Sequence, residues 1–288
     1  MNKEEIFSEF ARNITATFAH HQYAKEQADR ELQGLVKQRD KLRDTPELLS
    51  EPISLSFNYF LSAIDGRPTT FGKRHLTIDE RIKSVLSHKN KIYQWTIAEA
   101  YEHFEKFCWK FYCAMGCTDA DFWSERDYDR SDKPADEKRS LTYEERFKLI
   151  THKKDRTKEI LKLLRRNRPN FTQLERNNEL GQDLKLFIVI CGKFRHQIVH
   201  AGGFLPTDKS SFVDACLTEA GISGKKREDH RFYVEKYIGI SEGRAYLKLL
   251  DVPHPDVRLQ RIGGHFDICA DFLKGIGSYA HLMISCSQ

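Results

Sequence analysis

The run Arg195-His196-Gln197-Ile198-Val199-His200 brings together side chains able to work on a phosphodiester without a metal. Histidine exchanges a proton near neutral pH, so it can serve as a general base on a hydroxyl or as an acid on a leaving oxygen. Arginine stays charged and presents a planar fork of donors that can hold two phosphate oxygens as negative charge grows. His196 and His200 stand four residues apart, within about 40° of each other on a helix, a spacing that could also hold zinc. The helical metalloprotease pattern, however, needs Glu directly after the first histidine, and Gln197 cannot serve as that base. No metal is therefore assigned. His20, His21, His103, His230, His254 and His265 show no convergent spacing.

These residues belong to an apolar helix expected from about residue 180 to 201, stopped by Gly202-Gly203 with Pro206 beyond. Leu184, Phe187, Ile188, Cys191 and Ile198 fall on one stripe of it. Arg195 falls within that stripe, about 20° from Leu184 at helical spacing. An arginine there needs a carboxylate or an anionic ligand, because an unpaired buried guanidinium costs several kcal/mol. Glu102, set among apolar residues on an earlier helix, is the natural partner. His200 is rotated about 140° from Arg195, so the two do not share a face. Either the long arginine reaches round, or a second subunit completes the site, which predicts a homodimer.

The helix carrying Glu102 ends at Met115 before Gly116, and opens at Ile78, where Thr77 and Glu80 have capping-box spacing, or restarts near Asn90. Tyr93, Ile97, Ala100, Phe104, Cys108, Phe111 and Met115 form one apolar stripe, and Trp95, Ala98, Trp109 and Cys113 a second, so it is buried between layers. Residues 141–168 read as a helix closed by Pro169. Ten Lys or Arg against Asp155 and Glu159 give residues 146–168 a net charge of +8. Such a concentration attracts phosphate backbones through counterion release, and Lys153, Lys154, Arg156, Lys158, Lys162, Arg165, Arg166 and Arg168 are the candidate contacts. A solvated helix face is the plainer reading of the same charge run.

Elsewhere, residues 2–43 predict one long helix or two, 45–75 loops around one short element, and 118–140 an exposed loop. Phe232, Val234, Ile238 and Ile240, with a turn at Ser241-Glu242-Gly243-Arg244, predict a β-hairpin. A last apolar helix covers 264–286 despite Gly275 and Gly277. The expectation is a mainly α fold: a helical bundle with a β-hairpin inserted near 231–250, forming one domain over 1–288. Its core helices are about 84–117, 141–168, 180–203 and 264–286, with a helical extension over 1–80.

The chain of 288 residues is 40% hydrophobic, enough for a sizeable core. No run of eighteen apolar residues and no apolar leader is found, which argues against a membrane or export. Seven cysteines, odd in number and without a Cys-x-x-Cys pair, read as reduced core thiols of a cytoplasmic protein. The steps of five and four between Cys108, Cys113 and Cys117 do not fit zinc ligation.

A helix ending in Arg195, His196 and His200, preceded by Glu102 in Ala98-Glu99-Ala100-Tyr101-Glu102-His103-Phe104, resembles the HEPN (higher eukaryotes and prokaryotes nucleotide-binding) superfamily of the ribonuclease type. The resemblance covers about 84–117 and 180–203, with His196 where the family more often has Asn. It implies metal-independent RNA cleavage by attack of the ribose 2′-hydroxyl on the adjacent phosphate, at a site shared across a homodimer. Arg195, His196 and His200 would carry the chemistry and Glu102 would orient Arg195, with no cofactor. It also implies a toxin or a stress or anti-phage defence effector, with an antitoxin or regulator as a further partner. The alternative is a non-catalytic RNA- or nucleotide-binding dimerisation module.

Overall fold

The computed structural model describes residues 2–129, 131–134, 137–150, 156–253 and 265–287. The chain is mainly helical with small antiparallel strand pairs. It forms two compact units, one from Met1–Ala19 and Gln94–Gln288, the other from His20–Tyr93. The helices are α1 (Lys3–Lys41), α2 (Pro46–Leu49), α3 (Ile78–Thr118), α4 (Glu125–Tyr128), α5 (Tyr143–Ile150) and α6 (Arg156–Asn167). They continue as α7 (Pro169–Leu174), α8 (Leu184–Ala201), α9 (Lys209–Ala220), α10 (Lys226–Glu235) and α11 (Ile268–Ser285). The strands pair as β1 (Ser54–Leu61) with β2 (Pro68–Leu76), β3 (Ile238–Ser241) with β4 (Arg244–Leu247), and β5 (Val252–Pro253) with β6 (His265–Phe266).

In the larger unit the core is aromatic. Phe107 of α3 meets Phe10 from the start of α1 at 5.0 Å between ring centroids, and Phe104 meets Tyr279 of α11 edge-on at 5.6 Å. Phe272 of α11 sits against Phe187 and Phe194 of α8 at 5.3 and 5.7 Å. Gly275 explains itself here: a Cβ at that position would lie 2.4 Å from the Phe187 ring. The glycine's cost in helix propensity is offset by the close approach of α11 to α8.

Helix α8 is fixed at both ends. At its start the Asp183 carboxylate accepts from the Leu186 amide at 2.8 Å, capping the helix one turn later than residue 180. At its end Gly202 and Gly203 take left-handed conformations (φ 61° and 86°), and the Gly203 amide donates to the Gln197 carbonyl at 3.0 Å. The chain then pairs with β4: Leu205 N–H donates to Ala245 at 2.9 Å, and Leu247 N–H to Gly203 at 2.8 Å. The β3–β4 hairpin thus holds the end of α8 that carries His200. Its turn is built on Glu242 and Gly243, both at positive φ (51° and 74°), as tight hairpins require.

Two local expectations change in the larger unit. The hairpin is shorter than 231–250, because Phe232 and Val234 belong to α10, whose buried face carries Val234 while Phe232 faces solvent. Residues 118–140 are not simply an exposed loop. Phe122, Trp123, Asp127 and Tyr128 are buried, the Tyr112 hydroxyl donates to Asp127 at 2.9 Å, and Trp123 stacks on Tyr112 at 5.0 Å. Within 141–168 the described residues form α5 and α6, and residues 151–155 lie outside the described residues.

The smaller unit holds the later part of α1 and the first part of α3, joined by Arg81–Glu31 and Lys89–Asp29 ion pairs at 2.5 and 2.7 Å. Helix α3 does open at Ile78: the Thr77 amide donates to Glu80 at 3.0 Å and the Glu80 amide to the Thr77 hydroxyl at 3.4 Å. Residues 45–75, expected as loops around one short element, hold the short helix α2 and then most of the β1–β2 hairpin. Gly66 (φ 70°) lies in its turn, Pro68 opens β2, and Gly72 (φ 66°) sits where the register shifts, so these residues shape the hairpin rather than interrupt it.

Candidate active-site groove

One face of α8 lines a groove of about 990 Å³ in the larger unit. At 100° per residue, Lys185, Val189, Gly192, His196 and His200 lie within about 80° of arc, flanked by Arg195 on one side and Lys193 on the other. Helix α6 contributes Arg156, Lys158, Lys162 and Arg165; α3 contributes Tyr101, Glu105 and Trp109; α9 contributes Glu219. Arg195 and His200 therefore open on one groove within a single chain.

Arg195 and Glu102 do pair, but not in the interior. Arg195 Nη2 donates to Glu102 Oε1 at 3.4 Å, with the side chains 30% and 47% exposed, so the contact lies at the rim. Glu102 itself stands outside the groove lining while Arg195 is part of it. The contact is a single long hydrogen bond rather than a bidentate pair, and buried Nε of Arg195 has no partner among the described residues. Donors are thus left for an anion.

His196 and His200 are exposed side chains whose rings lie 4.7 Å apart between centroids, as their spacing requires. Among the described residues neither imidazole has another partner that would fix its tautomer, and no cluster of three or more His, Cys, Asp or Glu could hold a metal ion. Gln197, between them, is buried and uses its carbonyl to close the helix. Gly192 leaves the floor between the histidines and Lys185 without a side chain; a Cβ there would lie 2.8 Å from the Tyr101 hydroxyl.

The cations of α6 divide by task. Lys158 and Lys162 are exposed along the groove, with Lys158 held by Glu219 at 2.8 Å. Arg156 is buried over the Trp109 ring at 5.7 Å. Arg165 is a bidentate partner of fully buried Glu175 at 2.8 and 2.7 Å, a carboxylate that also accepts from the Tyr279 hydroxyl. Arg168 turns to Asp119 at 3.4 Å and, with exposed Arg166, does not line the groove. Lys153 and Lys154 lie outside the described residues. Arg146, counted in the basic run, is buried: it donates to the carbonyls of Leu141 and Arg139 and to the Tyr128 hydroxyl, and stacks on Trp123.

Glu105, Lys185 and Lys193 are groove residues that reading the sequence did not single out. The signal for Glu105 was its position three residues after Glu102, on the same helical face. Burial pushes its carboxyl above the usual glutamate range, Arg195 opposes the shift and Glu102 adds to it. Lys193 is paired with Glu219 at 2.9 Å. No known protein family, curated protein or solved structure matches the chain. Among the described residues no helix is long and apolar enough to cross a membrane.

Proposed function

We propose that the protein is a metal-independent endoribonuclease of the HEPN type, with Arg195, His196 and His200 as its catalytic residues. The observation that carries this reading is their convergence on one groove whose facing helix contributes exposed lysines. In the reaction the 2′-hydroxyl gives up its proton and attacks the adjacent phosphorus. The bond from phosphorus to the 5′-oxygen breaks, and that oxygen takes a proton. The products are a 2′,3′-cyclic phosphate and a 5′-hydroxyl. One imidazole takes the first proton and the other gives the second, a division of labour that their 4.7 Å ring separation supports. Arg195 holds the non-bridging oxygens with donors that Glu102 leaves unused, and Glu102 positions it. The cellular role fitting such an activity is that of a toxin or a stress or anti-phage defence effector restrained by a partner.

That neither imidazole has a second partner among the described residues favours one other reading, an RNA-binding module that does not cleave. Incubation of purified protein with mixed RNA in excess chelator separates the two. Cleavage that His200→Ala abolishes supports the nuclease; intact RNA under varied conditions, or an unaffected rate in His200→Ala, supports binding alone.

A further inference from the structure

Lys185 is a groove cation without an ion-pair partner among the described residues, its ammonium lying beside Gly221 at the end of α9. It stands second in α8, where the positive end of the helix dipole disfavours a cation. No carboxylate among the described residues lies within ion-pair distance of it, whereas Lys158 and Lys193 share Glu219 and Arg165 has Glu175. Burial, followed by the nearby Arg165 and Arg176 guanidiniums, holds its ammonium below the usual lysine range, with Glu175 and Asp183 opposing the shift. Lys185 and Arg165 share one end of the groove, while Arg176 lies outside its lining; of the two carboxylates near Lys185, Glu175 is engaged by Arg165 and Tyr279, and Asp183 caps α8. An arrangement of this kind is relieved by an anion.

Its position gives the anion a place in the site. Lys185 and Arg195 line the same groove ten residues apart on α8, a separation of about 15 Å along the helix axis. From Lys185 to His200 the groove face runs for about 22 Å. Between them Gly192 has no side chain and abuts the buried Tyr101 hydroxyl, and exposed Lys162 also lines the groove. A single phosphodiester held at Arg195 leaves Lys185 unoccupied.

We infer that Lys185 is a second phosphate-binding subsite, and that the groove takes a single-stranded RNA of several nucleotides laid along α8, with one backbone phosphate at Lys185 and the reacting one at Arg195. The inference rests on the nuclease reading only for what happens at Arg195. It makes the substrate an oligonucleotide chain rather than a mononucleotide, with backbone charge recognised at a distance from the reacting bond.

Binding of a fluorescent 2′-O-methyl octaribonucleotide and of the matching dinucleotide, neither of which can be cleaved by 2′-hydroxyl attack, tests this by anisotropy across a salt series. For wild-type protein the octamer is expected to bind more tightly than the dinucleotide. Lys185→Ala is expected to weaken octamer binding about tenfold and to lower the salt slope by about one, while Lys185→Arg retains both. Lys248→Ala, outside the groove lining, serves as the surface-charge control. Octamer affinity and salt slope in Lys185→Ala equal to wild type, or a loss no larger than that of Lys248→Ala, would overturn the subsite. The nuclease reading would still stand if unmodified RNA were cut. Conversely, octamer binding that depends on Lys185 without any cleavage of unmodified RNA keeps the subsite and removes the nuclease.

Discussion

At the scale of single residues, Arg195 is the most informative position. Its place in an apolar stripe marked it as a cation in need of an anion, and Glu102 was the partner legible from the sequence. Periodicity could not show that the pair sits at a rim. The stripe describes direction around one helix, while exposure depends on what the neighbouring helices leave uncovered. Arg195→Ala and His200→Ala are each expected to slow RNA cleavage by about a hundredfold or more, measured as initial rate on a labelled oligonucleotide. Glu102→Gln is expected to cost about tenfold, because it loosens the guanidinium without removing it. Glu105 gives a prediction about stability. Its folded-state pKa is raised, mainly by burial, so the folded protein binds the proton more tightly than the unfolded chain. This contribution favours folding below the ordinary glutamate range and is lost as pH rises through the folded value. Urea midpoints between about pH 4 and about pH 8 should therefore decline less in Glu105→Gln than in wild type. Parallel profiles would contradict the assignment.

At the scale of elements, the long periodic helices were legible. The capping box at Thr77 and Glu80, the Gly202-Gly203 stop and the Glu242-Gly243 turn all mark real boundaries. Short or interrupted elements were not legible, for reasons visible in the residues. Charged flanks concealed the buried Trp123 and Tyr128, and glycines that break helices were read in β1–β2 as loop signals although they occupy a turn and a register shift. The basic run likewise has a mean charge but no single face. Arg146 and Arg156 are buried, Arg165 is tied to Glu175, and exposed Lys158 and Lys162 line the groove. Glu175→Ala leaves Arg165 without its carboxylate and is expected to destabilise the fold by about 3 kcal/mol, read from a chemical denaturation midpoint. Gly275→Ala forces a methyl group against the Phe187 ring and is expected to cost about 1–3 kcal/mol by the same measurement. A neutral Gly275→Ala would show that α11 can shift away from α8 at little cost.

At the scale of the whole molecule, helical geometry alone suggested a site shared between two subunits, because Arg195 and His200 diverge by about 140°. In the structure both residues line one groove of a single chain. Mixing Arg195→Ala with His200→Ala protein tests this arrangement. If one chain holds the full set, the mixture stays as inactive as its components; recovery toward a quarter or more of wild-type activity would mean that residues from two chains share a site.

The most direct test of the central claim is chemical identification of the RNA ends left by the protein in excess chelator. Cleavage by the Arg195 and histidine groove should leave 2′,3′-cyclic phosphate and 5′-hydroxyl ends, lost together in Arg195→Ala and in His200→Ala. Fragments bearing 5′-phosphate and 3′-hydroxyl ends, or cleavage persisting in both variants, would contradict it.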